Sequence, residues 1–147
     1  MARRRKVSKI GGAFIAHSLE MRRSPAWRLL PDNARRVLDR LEVEHMSKGG
    51  EQNGALICTY DDFATAGIRR KSVALAIRQA QALGFLAVVR GYRTAGADRA
   101  PSLYRLTYVY GTEGSPDPTN DWRRFATVVD AGAALLRADL PDPHREL

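Results

Sequence analysis

Apolar residues recur at helical spacing in three long stretches of the chain and gather into short extended runs in three others. In "DNARRVLDRLEVEHM", Ala34, Val37, Leu38, Leu41 and His45 share one face, while Arg35, Arg36, Asp39, Arg40 and Glu42 point elsewhere. That pattern predicts a helix, with Asp32 as its cap. "RKSVALAIRQAQAL" and "VVDAGAALLRADL" repeat the helical period. The first is stopped by Gly84; the second opens on a Thr127–Asp130 capping box and ends before Pro141. Thr59 and Asp62 form another such box, which opens a short helix that Gly67 closes. Ser24 and Pro25 sit as cap and first residue of "SPAWRLL", a helix interrupted by Pro31. "AFIAHSLEM" reads either as an extended segment or as one helical turn. The runs "ALICT", "FLAVVRG" and "SLYRLTYVY" read as strands, the last two joined by the loop "YRTAGADRAP". "SKGGEQNG" and "GTEGSPDPTN" are breaks by composition.

The order is therefore helix, short strand, helix, tight turn, helix, then a hairpin. It is the order of a winged helix-turn-helix, and residues 62–86 resemble that family in sequence. Asp62-Phe63-Ala64, Gly67-Ile68, Ser72-Val73, Ala76-Ile77 and Leu83-Gly84-Phe85-Leu86 stand where such domains place a turn glycine, packing residues and a helix stop. The resemblance covers about residues 24–110. "SPAWRLL", "NGALICTYDDF" and "DWRRFATVVDA" look similar to small helix-turn-helix proteins of bacterial prophages and integrative elements, some of them replication-associated. The fold expected is α+β, mainly α. It comprises a basic arm (1–12), a winged helix-turn-helix domain with a two- or three-stranded wing sheet (13–110), and a linker with a C-terminal helix (111–147).

Composition narrows the function. A chain of 147 residues with 44% hydrophobic residues suits one folded domain. No apolar run approaches the roughly 20 residues of a membrane span, and the charged N-terminus lacks the apolar core of a signal peptide. One cysteine, Cys58, excludes an internal disulfide and suits a reducing cytoplasm. The formal charge of +8 is unevenly spread: residues 1–54 carry 12 bases and 6 acids, 55–110 carry 8 and 3, and 111–147 carry 4 and 7. No acid lies between Asp62 and Asp98. A one-sided basic surface suits a polyanion, nucleic acid above all; scattered solvated charge is the alternative.

The helix over 70–83 carries the candidate chemistry. Each residue advances about 100°, so Ala76, Ile77, Ala80 and Leu83 fall within about 80° of Val73 and define a core face. Lys71, Leu75, Arg78 and Ala82 lie on the far side, with Gln79 at its edge. A solvated face would normally include glutamates for i,i+4 pairs, and this one has none. Winged-helix domains use the corresponding helix to read the major groove. The resemblance thus implies that Lys71, Leu75, Arg78 and Gln79 face base edges, where arginine suits guanine and an apolar side chain the thymine methyl. Arg69, Arg70 and Ser72 surround the helix start, where free N–H groups favour a phosphate. Arg90, Arg93, Arg99 and Arg105 surround the hairpin loop and would reach phosphates or the minor groove. Arg3, Arg4, Arg5 and Lys6 would enter a minor groove or add affinity without sequence preference.

Little else points to chemistry. His17, His45 and His144 are far apart in sequence, and a single cysteine forms no metal motif. Asp61 and Asp62 fit a helix N-terminus, Trp27 and Trp122 fit packing, and Arg123 and Arg124 lie in an acidic tail. No phosphate loop or nucleophile elbow is present. The expectation is a non-enzymatic, cofactor-free cytoplasmic or nucleoid protein that binds double-stranded DNA sequence-specifically, as a transcriptional regulator. Its alternatives are a replication- or recombination-associated DNA-binding protein and a winged-helix protein-interaction module. Val129, Ala133, Leu136 and Leu140 line one side of the tail helix, which would either pair two chains or pack on the monomer; a homodimer is the expectation.

Overall fold

A computed structural model describes residues 10–89, 101–110 and 117–140. Residues 1–9 of the expected arm (1–12), with Arg3, Arg4, Arg5 and Lys6, lie outside these residues, as do Arg90, Arg93 and Arg99 of the hairpin loop. Six α-helices and one two-stranded antiparallel sheet make the described part α+β and mainly helical.

The ambiguous N-terminal stretch forms helix α1, Leu19–Arg23, and α2 follows as Pro25–Arg28. Ser24 joins them. Its hydroxyl accepts the Trp27 N–H at 3.2 Å and donates to the Met21 carbonyl at 2.6 Å, so one buried side chain ends one helix and begins the next. Helix α3 spans Asp32–Ser47 and buries the stripe read from its period: Ala34, Val37, Leu38, Leu41 and His45. The expected cap is corrected by one residue. Asp32 is the first helical residue, Pro31 stands at the cap, and no side chain bonds the first turn. Asp32 still places a negative charge at the positive end of the helix dipole.

Helix α4, Tyr60–Thr65, opens on the capping box, with Thr59 Oγ1 accepting the Asp62 N–H and Asp62 accepting the Thr59 N–H at 2.8 Å. That N–H holds the Asp62 carboxyl below the usual aspartate range. Helix α5, Arg70–Ala82, packs on α3 and α4 through Val73, Ala76, Ile77 and Ala80.

Strands β1 (Leu86–Val89) and β2 (Leu103–Leu106) pair with Leu86 opposite Leu106 and Val89 opposite Leu103. "ALICT" is not a strand. It touches the sheet at one bridge, Leu56 to Tyr104, because Asn53 bonds both the N–H and the carbonyl of Leu106 and turns the chain there. β2 stops earlier than its alternation suggests. Beyond Leu106 the chain is tied to the end of α5: Thr107 donates its hydroxyl to the Gly84 carbonyl at 2.6 Å and its N–H to Phe85.

The C-terminal segment shares the core rather than standing apart from it. Asn120 adopts a left-handed conformation (φ 47°) and starts a 3₁₀ turn, Asp121–Arg124, whose Trp122 is buried. That turn rests on Gly84, where a Cβ would lie 2.6 Å from the Trp122 nitrogen and where φ is +85°. Only glycine meets both demands. Helix α6, Val128–Asp139, then packs across α5 and α2, burying Ala131 and Ala134. Its cap is Thr127, which accepts the Asp130 N–H at 3.2 Å.

Candidate nucleic-acid interface

Helices α4 and α5 are joined by a turn that needs Gly67, at φ +103°. The Ile68 N–H bonds the Phe63 carbonyl at 3.2 Å, and both side chains are fully buried, which fixes the angle at which α5 leaves the turn. Arg69 stands at the cap of α5, and no side chain bonds its first turn. By contrast α1, α2, α4 and α6 all begin with a serine or threonine hydroxyl on a backbone N–H. Arg69, Arg70 and Lys71 are all exposed there. Cations at a helix N-terminus oppose the dipole, at roughly 0.3–1 kcal/mol each, and no acid within α5 offsets them. The first turn of α5 is thus a concentration of positive potential that the fold itself does not neutralise. Among the described residues, Asp61 of α4 relieves it in part, through an exposed ion pair with Arg70.

The remaining candidates separate. Ser72 and Leu75 are partly covered by their surroundings. Arg78 and Gln79 are not free on the outer face, which corrects the expectation drawn from an isolated helix. Arg78 Nε donates to the Ala138 carbonyl at 3.2 Å, and the Gln79 amide reaches the Asp139 carboxylate at 3.4 Å. The reason is the tail. Alanines at 131, 134 and 138 let α6 lie close to α5, and the carbonyl-rich, negative end of α6 attracts the Arg78 guanidinium. Arg105 of the sheet is partly buried and donates to Thr119 Oγ1 at 3.0 Å.

Arg124, which the acidic tail keeps off the expected DNA-contacting set, closes the other end of the same helix, donating to the Ala82 carbonyl at 2.8 Å. Arg78, Arg124 and Arg137 all line an open groove of about 660 Å³, with Leu86, Val88 and Phe125 among its apolar residues. A basic pair after a tryptophan was the available signal; that it would fold back onto α5 was not visible. Arg123 instead pairs with Glu20 at 2.7 Å.

The other reactive side chains are built into the fold. Burial pushes the Cys58 thiol up to about 11, so little thiolate exists near neutrality. His17 meets the buried Glu42 at 2.5 Å and packs edge-on against Trp27 and Tyr108, tying the N-terminal segment to α3. Burial and the neighbouring Glu42 carboxylate raise the Tyr108 phenol well above its ordinary range. Trp27 is buried beneath the guanidinium groups of Arg22 and Arg35, each 4.9 Å from its ring. Among the described residues, no group of three or more His, Cys, Asp or Glu side chains could hold a metal ion. Among them, too, no helix is long and apolar enough to cross a membrane. Comparison with protein-family models, with curated proteins and with solved structures finds no match.

Proposed function

We propose that this protein binds double-stranded DNA in a sequence-specific manner, as a winged helix-turn-helix protein and a regulator of transcription. In this reading α4, the Gly67 turn and α5 are the helix-turn-helix, and β1 and β2 carry the wing. The observation that supports it most is the start of α5: three exposed cations, an uncapped first turn and a helix without an acid. A phosphate seated there would accept backbone N–H bonds and relieve the charge crowding together. Asp61 would then release Arg70 to the phosphate, a cheap exchange because exposed ion pairs contribute at most about 1 kcal/mol.

The position of α6 refines the reading. Base contacts fall to the N-terminal half of α5, to Lys71, Ser72 and Leu75, while Arg78 and Gln79 hold the tail against the helix. Arg90, Arg93, Arg99 and the arm cations Arg3–Lys6 remain proposed backbone contacts on charge alone. A replication- or recombination-accessory role would use the same surface, so the position of the target sites decides between the two. Selection of genomic fragments by the purified protein, followed by sequencing, is the direct test. Enrichment of promoter-proximal sites supports a regulator. Clustered repeats at an origin or attachment site assign the accessory role, and recovery of no enriched sequence rejects specific DNA binding.

A further inference from the structure

Helix α6 has two faces. One is packed on α5 and α2 through Ala131, Ala134 and Leu135. The other carries Val129, Ala133, Leu136 and, at the cap, Leu140; the three large side chains are 76%, 70% and 64% exposed. Their spacing of four, three and four residues averages about 3.7, close to the 3.6 residues of an α-helical turn, so the four positions form one nearly straight stripe that a second helix can cover. A stripe meant only for the monomer core would be the buried one. Because the opposite face is fixed, this stripe stays outward on the folded chain.

We propose that the exposed face of α6 is a homodimer interface, in which α6 pairs antiparallel with the same helix of a second copy. The flanking charges favour a second copy and set the direction. Asp130 and Arg137 lie seven residues apart on one flank of the seam, with opposite signs near opposite ends. In an antiparallel pair, like flanks meet, so Asp130 approaches the partner's Arg137 and the symmetric contact repeats it. A parallel pair would set this flank against the one that carries Asp139 and leave Asp130 without an opposite charge. The chemistry disfavours an anionic membrane surface as the occupant: Asp130 and Asp139 outnumber Arg137 along the seam, where lipid-binding helices carry lysines and arginines. A 12-residue helix is only about 18 Å long, so the pair buries less than the roughly 1,200 Å² of a stable interface and belongs to the weak, concentration-dependent class.

The inference does not depend on DNA binding, and its test requires none. Sedimentation velocity of the full chain across a range of concentrations, from low to several hundred micromolar, should show a monomer–dimer equilibrium. Leu136→Glu should weaken dimerisation at least tenfold while leaving the melting temperature of dilute protein unchanged, because the side chain is exposed in the monomer. Asp130→Arg or Arg137→Asp alone should weaken it about two- to fivefold, and the double exchange should restore it. A wild-type monomer at every concentration overturns the proposal, as does a dimer that survives Leu136→Glu. A large fall in the melting temperature of dilute Leu136→Glu would overturn it too, by showing that the stripe is covered within one chain. Single exchanges that weaken the dimer without rescue by the double would overturn the antiparallel arrangement.

Discussion

Arg78 and Lys71 belong to the same outward sector of one helix, yet their surroundings assign them different work. Lys71 is exposed beside Arg69 in the uncapped first turn, whereas Arg78 is spent on a carbonyl of α6. If Arg69 touches phosphate and Lys71 a base edge, Arg69→Ala should lower DNA affinity and reduce the salt slope by about one unit, and Lys71→Ala should lower affinity and relax base preference. The thermal stability should not fall, since each cation opposes the dipole of its own helix. Arg78→Ala should behave the other way, with a stability loss of about 1 kcal/mol from the lost hydrogen bond and the smaller effect on DNA. Binding titrations at several salt concentrations, run beside thermal melts, separate the two. A selective loss of base preference in Arg78→Ala would instead return that residue to the reading face and require α6 to move.

At the scale of elements, the helix stop at Gly84 is the most tightly constrained of the described glycines. Gly84→Ala must hold a non-glycine residue at φ +85° and push back the Asp121–Trp122 peptide, so a loss of at least about 2 kcal/mol is expected in urea denaturation. Gly67→Ala offers a matched control: its φ is also positive, but the atom in the way is the end of the Arg36 side chain, which can swing aside. Equal losses would mean that the contact with the 3₁₀ turn contributes nothing. Much of this layout was legible beforehand. The Thr59–Asp62 capping box, Ser24 and the glycine stops are local chemistry, decided within four or five residues, whereas at α6 only the Thr127 half of the expected box forms. "ALICT" was misread because a five-residue apolar run cannot reveal whether a neighbour will complete its ladder; Asn53, fifty-three residues from its bonding partner, decided that. The candidate site was half legible for the same reason. Charge at the start of α5 is local, while the hydrogen bond that holds Arg78 depends on a helix some sixty residues later.

For the whole molecule, stability carries a pH dependence with a defined sign. His45 is buried on α3, and that burial lowers its pKa below the ordinary 6.5, with Glu42 pulling weakly the other way. The unfolded chain therefore takes up the proton first as pH falls. The contribution of neutral His45 is fully present above about pH 6.5 and is lost as pH falls from there through the lower pKa of the folded state. Melting temperatures between about pH 8 and pH 5.5 should fall for the natural chain and fall less for His45→Leu, which packs in the same apolar stripe. Parallel curves would show that other groups govern acid sensitivity. If the proposed α6 pairing and the proposed DNA contact both hold, two α5 helices related by a two-fold axis would read an inverted repeat.

The seat of the Asp121–Trp122 peptide against Gly84 also bears on how far the chain can be shortened. Residues up to Val109 contain most of the apolar core, but buried Trp122 lies thirteen residues later and the buried alanines of α6 later still. A chain cut back to Tyr110 would keep Trp27, Phe85 and Tyr108, yet lose both the peptide that rests on Gly84 and the helix packed across α5 and α2. The end of α5 would then present apolar surface to its neighbours. A version of this domain that stops at the hairpin is therefore expected to aggregate, whereas one carried to Leu140 keeps its core sealed.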